Sequence, residues 1–314
     1  MSPVTRERAK DSVPSDNDVQ RSRRQTMSAR RTQRTLRRRR VVNGTMVGLL
    51  GLSAILATVP LVLIVWHLLK SGASSVTLTF FTHEPASVGT PGGGMYNAIV
   101  GTILVVAMAS VIGLPVGVGA GLYLVERRGT TLANTVRFLA DVLNGLPSIV
   151  MGIFAWQFLV KPFGHFSAMA GAVALAAMMI PMVTRTTEEM VSLVPTSLRE
   201  AALALGYSRA RTSLTVVLRT ATAGIVTGAL VAVARIAGET APLLFTALGN
   251  QFTSFSLNKP IAALPLQIFT YAVSPYDDWH SQAWAGALVL ITLVLLISLA
   301  ARVATRGRID VGGD

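Results

Sequence analysis

The stretch TAGIVTGALVAVARIAGETAPLLFTALG, residues Thr222–Gly249, has the length of a membrane-spanning helix and carries two opposite charges near its middle. The charges are those of Arg235 and Glu239, which are one helical turn apart. An arginine at the centre of a spanning helix costs roughly 2.5–3.5 kcal/mol on insertion scales. Intramembrane ionisable residues are therefore candidates for handling an ion or a polar solute. An ion pair that only holds neighbouring helices together is the alternative interpretation.

We expect this stretch to form one long helix over Thr220–Leu248 that bends at Pro242, because proline removes a backbone donor. At 100° per residue, a continuous helix places Arg235 on one face. The residues that share that face are Gly224, Gly228, Glu239, Pro242 and Thr246. Such a face is expected to point into the protein or into a wet path rather than into lipid.

The composition places the whole chain among membrane proteins. Of its 314 residues, 51% are hydrophobic and only 14% are charged. Runs long enough to cross a hydrocarbon layer of roughly 30 Å predict six transmembrane helices. We predict an all-α membrane protein with the spans Thr45–Leu69, Tyr96–Val125, Phe138–Val160, Ser167–Val183, Thr220–Leu248 and Gln282–Val303.

The basic residues are divided unequally between the two sides that these spans define. A net charge of +13 would by itself also suit a protein that binds nucleic acid. However, 24 of the 28 basic residues fall on one predicted side and three on the other, with Arg235 inside a span. This is the positive-inside pattern, so both termini are predicted to be cytoplasmic and no nucleic-acid partner is expected.

The first 40 residues differ from the rest, because they hold 13 basic residues and few apolar ones. We expect residues 1–40 to form a disordered basic cytoplasmic arm that sets the topology and can contact anionic membrane lipids. Residues 41–310 are expected to form the transmembrane domain. Within it, residues 184–219 form the longest internal cytoplasmic connection, and long connections in compact domains are often functional.

This connection contains REAALALG, Arg199–Gly206. Ser197 and Glu200 have the spacing of a capping box that would open a short helix. The alanines favour helix, and Gly206 can supply a left-handed stop. The pattern predicts a short helix with a small-residue face that fits a groove on a partner, and a plain surface helix is the alternative.

Catalytic and metal-binding activities have no support in the sequence. A phosphate-binding loop of the G-x-x-x-x-G-K-[ST] type is absent, so ATP hydrolysis by that route is not expected. The four histidines lack metal-ligand spacing, and there is no cysteine. We therefore predict no catalytic residue, no metal site and no cofactor bound by this chain.

Glu200, Ala201, Ala202 and Gly206 resemble the EAA loop of ABC-importer permeases. In that family the loop forms a coupling helix that docks into a groove of a cytoplasmic ATPase, and the resemblance implies the same role here. The family pattern continues with I-x-L-P, whereas this chain has VVLR at Val216–Arg219. The missing proline changes the expected bend after the loop but not the docking helix.

A longer and more specific resemblance begins at the intramembrane pair. ARIAGETAPLLFTALGNQF, Ala234–Phe252, is similar to the phosphate-importer permease of the PstA type. So are GGGMYNAIVGTILVV at Gly92–Val106, LNGLPSIVMG at Leu143–Gly152 and SPYDDWHSQAWAGALVL at Ser274–Leu290. The resemblance covers a core of residues 92–306 and implies a type I ABC-importer permease architecture.

The resemblance also implies a multi-pass subunit of the bacterial cytoplasmic membrane that forms half of a path for inorganic phosphate. Arg235, Glu239 and Thr240 make up the predicted solute path. The implied partners are a second permease of the PstC type, two ATPase subunits of the PstB type, which use the ATP, and an extracytoplasmic phosphate-binding protein of the PstS type. Two alternatives stay open: another oxyanion such as phosphonate or sulfate, and a non-transporting membrane scaffold or sensor.

Overall fold

The structure is a computed structural model that describes residues 16–87, 90 and 92–306. The chain comprises two units, Met1–Trp66 and His67–Asp314. Regular structure in the described residues is helical. The α-helices are α1 (Asp16–Gly72), α2 (Leu78–Thr82), α3 (Tyr96–Glu126), α4 (Thr131–Gly145), α5 (Ser148–Ala155), α6 (Lys161–Phe163), α7 (Ala168–Ser192), α8 (Thr196–Ala204), α9 (Arg209–Arg211), α10 (Leu218–Ala237), α11 (Ala241–Thr246), α12 (Leu264–Ala272) and α13 (Asp277–Arg306). A short 3₁₀ helix covers Ala73–Ser75, and π-helical segments cover Trp156–Val160 and Thr212–Val217.

Five helical segments within the described residues are long and apolar enough to cross a membrane. They are Val42–Ser75, Tyr96–Glu126, Ala168–Ser192, Arg209–Ala237 and Asp277–Leu299. A sixth span results if the bent pair Thr131–Gly145 and Ser148–Phe163 counts as one. The predicted all-α class is confirmed, and the six predicted spans correspond to these five segments and the bent pair.

The third predicted span, Phe138–Val160, corresponds to two helices with a sharp bend between them rather than to one continuous helix. The chain turns by 108° between α4 and the helix that follows it. Leu146 is extended, with ψ of 137°, and Pro147 is the N-cap of α5. A residue before proline is driven out of the helical region, so α4 ends there. An apolar run shows that a segment is buried in lipid or protein, but not where it changes direction.

α3 and α7 pack closely along a stripe of glycines on α3. A methyl group added at Gly117 would lie 2.7 Å from Cβ of Val183, and one at Gly121 would lie 2.6 Å from the carbonyl oxygen of Thr184. These distances are too short for any larger side chain, which is the usual reason for small residues at four-residue spacing in membrane helices. The central apolar core forms around this pair, and α10 and α11 add side chains to it.

The first unit contains most of α1. The predicted disordered arm covers residues 1–40, and of these residues 1–15 lie outside the described part of the chain. From Asp16 the backbone is helical, so Asp16–Arg40 differs from that prediction. Its arginines, glutamines and alanine are good helix formers, which explains how a strongly basic segment can continue the helix that follows it. From Val42 to Trp66 the side chains are exposed, as expected for a helix that faces lipid.

The loop after α11 returns to α3 and contains the short helix α12. The amide N–H of Leu264 donates to Oγ1 of Thr102 on α3 at 2.7 Å. Nearer the surface, the amide N–H of Thr253 donates to Oε1 of Glu84 at 2.7 Å, and this hydrogen bond lowers the pKa of Glu84. The loop is thereby attached both to α3 and to the segment that precedes α3.

Candidate functional site

α10 ends two residues after Arg235, and the chain then unwinds. The amide N–H of Gly238, which is the C-cap, donates to the carbonyl oxygen of Arg235 at 3.1 Å. The next helix begins at Ala241 with Pro242 in its first turn. In a continuous helix Pro242 would leave the carbonyl of Gly238 without a donor and clash with it, so the helix stops before the proline.

This break corrects the prediction of one bent helix over Thr220–Leu248. Pro242 and Thr246 belong to α11, so they do not extend the face that carries Arg235. The glycines on that face pack instead: the site of a side chain on Gly228 is occupied by Thr186 of α7. Arg235 follows Gly228 by nearly two helical turns. The same face of α10 is therefore covered by α7 at the glycine and open at Arg235.

Arg235 is only loosely paired. Its side chain is 61% exposed, whereas that of Glu239 is 17% exposed, and Nε of Arg235 lies 3.7 Å from Oε1 of Glu239. This distance is longer than a hydrogen bond. Among the described residues the guanidinium makes this one ion pair, so most of its five N–H donors are available to a ligand or a partner chain.

Thr240 adjoins the pair in the unwound turn and is half-buried. Its carbonyl oxygen accepts from the amide N–H of Leu244 at 3.1 Å and so starts α11. The structure thus brings Arg235, Glu239 and Thr240 together in one break between two helices. Their part in a solute path stays a prediction.

The predicted partner-binding helix is α8, and it begins differently from the prediction. α8 starts at Thr196 with Pro195 as its N-cap, and no side chain caps it, so the capping box of Ser197 and Glu200 does not form. Proline at the start supplies a suitable φ of −57° without a capping hydroxyl.

The end of α8 agrees with the prediction of a glycine stop. Gly206 has a φ of +83°. Its amide N–H donates to the carbonyl oxygen of Leu203 at 3.0 Å, and that of Tyr207 donates to the carbonyl oxygen of Ala202 at 3.1 Å. This pair of bonds is the Schellman motif, which requires a left-handed residue.

α8 has one face against the chain and one face free. Ala202 is buried, whereas Glu200, Ala201 and Gly206 are exposed. Leu205, directly after the helix, is 79% exposed. The four residues of the predicted EAA loop therefore divide into one that packs inward and three that face outward.

Arg199 attaches α8 to two spans, a role that the sequence alone does not indicate. Nη1 of Arg199 donates to Oε1 of Glu126 at the end of α3 at 2.6 Å. Nη2 donates to the carbonyl oxygen of Val191 near the end of α7 at 3.3 Å. Glu126 and Arg199 are 73 positions apart in the chain, so no local pattern reveals the contact.

A second ionic cluster joins α4 to α7. Glu188 is buried, and its Oε1 accepts from Nη2 of Arg137 on α4 at 2.7 Å. Its Oε2 accepts from Nη1 of Arg185 at 3.3 Å. In the sequence these arginines are visible only as charges that set the topology. In the structure Arg137 holds α4 against α7, and Arg185 binds the same carboxylate from within α7.

The span Arg209–Ala237 connects the two candidate regions. It leads from the chain just after α8 to the break that follows Arg235. The distance along α10 from Leu218 to Arg235 is about 26 Å at 1.5 Å per residue. The exposed helix α8 and the loosely paired Arg235 therefore lie toward opposite ends of this span.

Comparison with known proteins identifies the class. The family described as "Binding-protein-dependent transport system inner membrane component" matches residues 113–309. A solved structure of the MetNI methionine ABC transporter, in inward-facing conformations, has a similar fold with a TM-score of 0.55 and 22% identity. The match covers 68% of this chain and 96% of that chain. The fold is that of an ABC-importer permease, a multi-pass component of the inner membrane.

Curated relatives narrow the class further. The phosphate transport system permease protein PstA of Yersinia pestis is 48% identical over 244 residues, which cover 77% of this chain and 83% of the relative. The PstA protein of Haemophilus influenzae is 44% identical over 265 residues, which cover 84% and 94%. This chain belongs to the PstA family of permeases, whose members are transport components rather than enzymes.

Proposed function

We propose that this chain is the transmembrane permease subunit of an ATP-driven importer for inorganic phosphate and forms half of the translocation path. The observation that carries the proposal is the exposed, loosely paired guanidinium of Arg235 beside a break between two helices. The choice of phosphate is supported by the relatives that are permeases of phosphate transport systems, one of which is 48% identical to this chain over 244 residues.

The chemistry of the break suits an oxyanion. An anion that enters the path loses hydration, and a guanidinium can replace part of it with two parallel N–H donors. The carboxylate of Glu239 lies beside Arg235 and partly neutralises it, which weakens the binding of the anion. Weaker binding favours release, and transport requires that the anion leave the site as well as enter it. The hydroxyl of Thr240 adds a neutral hydrogen-bonding group at the same turn.

Coupling to ATP is assigned to α8. The proposed complex contains a second permease of the PstC type, two ATPase subunits of the PstB type and a phosphate-binding protein of the PstS type. The ATPase binds the outward face of α8 and uses the ATP, and this chain binds no cofactor. Because Arg199 ties α8 to the ends of α3 and α7, a displacement of α8 moves both spans.

Solute competition tests the proposed substrate. In cells that lack other phosphate importers, the complete set of subunits should take up labelled phosphate in an ATP-dependent manner. Excess unlabelled phosphate should abolish this uptake, whereas excess sulfate or phosphonate should leave most of it. Cells that lack only this chain are the control.

The alternatives predict other results. Equal competition by sulfate or phosphonate would assign the path to another oxyanion. A membrane scaffold or sensor would show no uptake of any oxyanion and would fail on deletion of residues 1–40, whereas a permease should keep most uptake without that arm.

The proposed topology, with both termini in the cytoplasm, is testable with single cysteines. The chain contains no cysteine, and Ser87, Ser208 and Ser256 are all exposed. A membrane-impermeant thiol reagent applied from outside should label Ser87→Cys and Ser256→Cys. Ser208→Cys should react only after the membrane is opened. Labelling of Ser208→Cys from outside would reverse the proposed orientation.

A further inference from the structure

We propose that one anionic phospholipid binds in a cleft between α3 and the beginning of the span Arg209–Ala237. The cleft has a volume of about 400 Å³. Its lining includes Gly119, Leu122, Tyr123, Arg127, Arg209 and Leu214. No residue assigned to the solute path or to the outward face of α8 lines this cleft.

Each of the two walls of the cleft has a charged residue at one end and apolar residues at the other. Along α3 the lining passes from Gly119 and Leu122 through Tyr123 to Arg127, a rise of about 12 Å. Along the other wall the charge comes first, at Arg209, and an apolar residue follows, at Leu214. As the second and fifth of six spans, these segments cross the membrane in opposite directions. Both guanidinium groups therefore lie at the same end of the cleft, and both apolar parts lie deeper in the membrane.

The charged end of the cleft is free to bind an anion. Within the part of the chain that the structure describes, neither Arg127 nor Arg209 forms a side-chain hydrogen bond or an ion pair. The acidic residue of the lining, Glu126, is engaged by Arg199 at 2.6 Å. The hydroxyl of the buried Ser213, also in the lining, donates to the carbonyl oxygen of Arg209 at 2.9 Å. Two uncommitted guanidinium groups thus face a cleft in which the one carboxylate is already neutralised.

This combination matches a phospholipid rather than a soluble anion. A headgroup phosphate fits between two guanidinium groups, and basic pockets between membrane helices on the cytoplasmic side bind anionic headgroups. The phenol of Tyr123 lies where the glycerol esters would lie, which suits its amphipathic side chain. Leu214 is exposed and Gly119 leaves the wall open, so an acyl chain can lie along them. A free phosphate would leave this apolar part uncovered.

Lipid competition on the full-length chain tests the proposal. The purified chain is incubated in detergent with equal amounts of phosphatidylglycerol and phosphatidylcholine, and bound lipids are counted by native mass spectrometry. We expect a preference for phosphatidylglycerol. The double variant Arg127→Gln with Arg209→Gln should lower that preference about tenfold or more, since each basic residue contributes about one factor of five near an anionic surface.

A steric variant gives an independent measurement. A Cβ at Gly119 would meet no atom within 4 Å, so Gly119→Leu fills the cleft without disturbing the packing of the helices. It should reduce the binding of phosphatidylglycerol while the chain elutes and melts as the wild type does. The matched control is Arg128→Gln, because Arg128 donates to Ser192 at 3.1 Å and does not line the cleft.

The outcomes separate the cleft from general surface charge and from soluble anions. Unchanged lipid binding in both the double variant and Gly119→Leu would overturn the proposal. An equal loss in Arg128→Gln would show an effect of net charge alone. Displacement of the lipid by excess inorganic phosphate would assign the guanidinium pair to a soluble anion. None of these results depends on whether the chain transports phosphate.

Discussion

Replacement of Arg235 by glutamine should reduce phosphate uptake to background while the transporter still assembles. The guanidinium is 61% exposed on this chain and makes one loose ion pair, at 3.7 Å, so its removal leaves the carboxylate of Glu239 as the one described group that loses a charged partner. What is lost is the contact with the solute. Hydrogen bonds to a charged group contribute about 1.5–3 kcal/mol, which corresponds to about a 10- to 100-fold loss of transport.

Two companion variants define how the arginine acts. Arg235→Lys keeps the positive charge but lacks the planar fork, so uptake should be intermediate. Arg219→Gln is the matched control, because it removes the same charge from the opposite end of α10, where the residue is exposed. It should retain most uptake. Assembly is measured by co-purification of the partner subunits, and uptake is measured with labelled phosphate.

The interpretation as a structural ion pair predicts a different result. If Glu239 and Arg235 only neutralise each other, Glu239→Gln should be harmful and the double variant Arg235→Gln with Glu239→Gln should recover uptake. A role in the solute path predicts that the double variant stays inactive. The long Nε–Oε1 separation and the unequal exposure of the two side chains favour the second outcome. Recovery in the double variant would remove Arg235 from the path.

The spans could be predicted because lipid imposes a length and a composition on every segment that crosses it. The breaks could not be predicted as reliably. Both breaks are at prolines, Pro147 and Pro242, yet Pro115 and Pro181 lie inside continuous helices. A proline weakens a helix at a known place, but the surrounding packing decides whether the helix bends, ends or continues.

The candidate residues of the site also differ in whether the sequence alone could reveal them. Arg235 and Gly206 are visible in the sequence because each breaks a local rule: a charge within an apolar run and a glycine directly after an alanine-rich helix. Arg199 is part of the same short motif but looked like a surface charge. Its structural role depends on a hydrogen bond to Glu126, which lies on a different span, and only the folded chain brings the two residues together. Contacts between distant segments carry no signal in a single sequence.

The coupling prediction depends on the left-handed conformation of Gly206. At a φ of +83°, a residue with a Cβ costs about 1–2 kcal/mol, although a Cβ there would meet no atom within 4 Å. Gly206→Leu therefore strains the backbone without a steric clash and disturbs the exit from α8. If this strain weakens the docking of α8 to the ATPase by the same free energy, phosphate-dependent ATP hydrolysis and uptake should fall by up to about thirtyfold. Membrane insertion should be unchanged, because Gly206 lies outside the spans.

Gly206→Asn is the matched control, because asparagine tolerates the left-handed region better than leucine does. Its activity should lie between those of the wild type and Gly206→Leu. The same ranking should hold for binding of the ATPase, measured by co-purification, since Leu203 and Ala202 accept the two hydrogen bonds that close the helix at this glycine. If Gly206→Leu binds the ATPase and transports as the wild type does, α8 only connects two spans. Coupling would then have to be sought in the ionic contacts of Arg199 and Glu188.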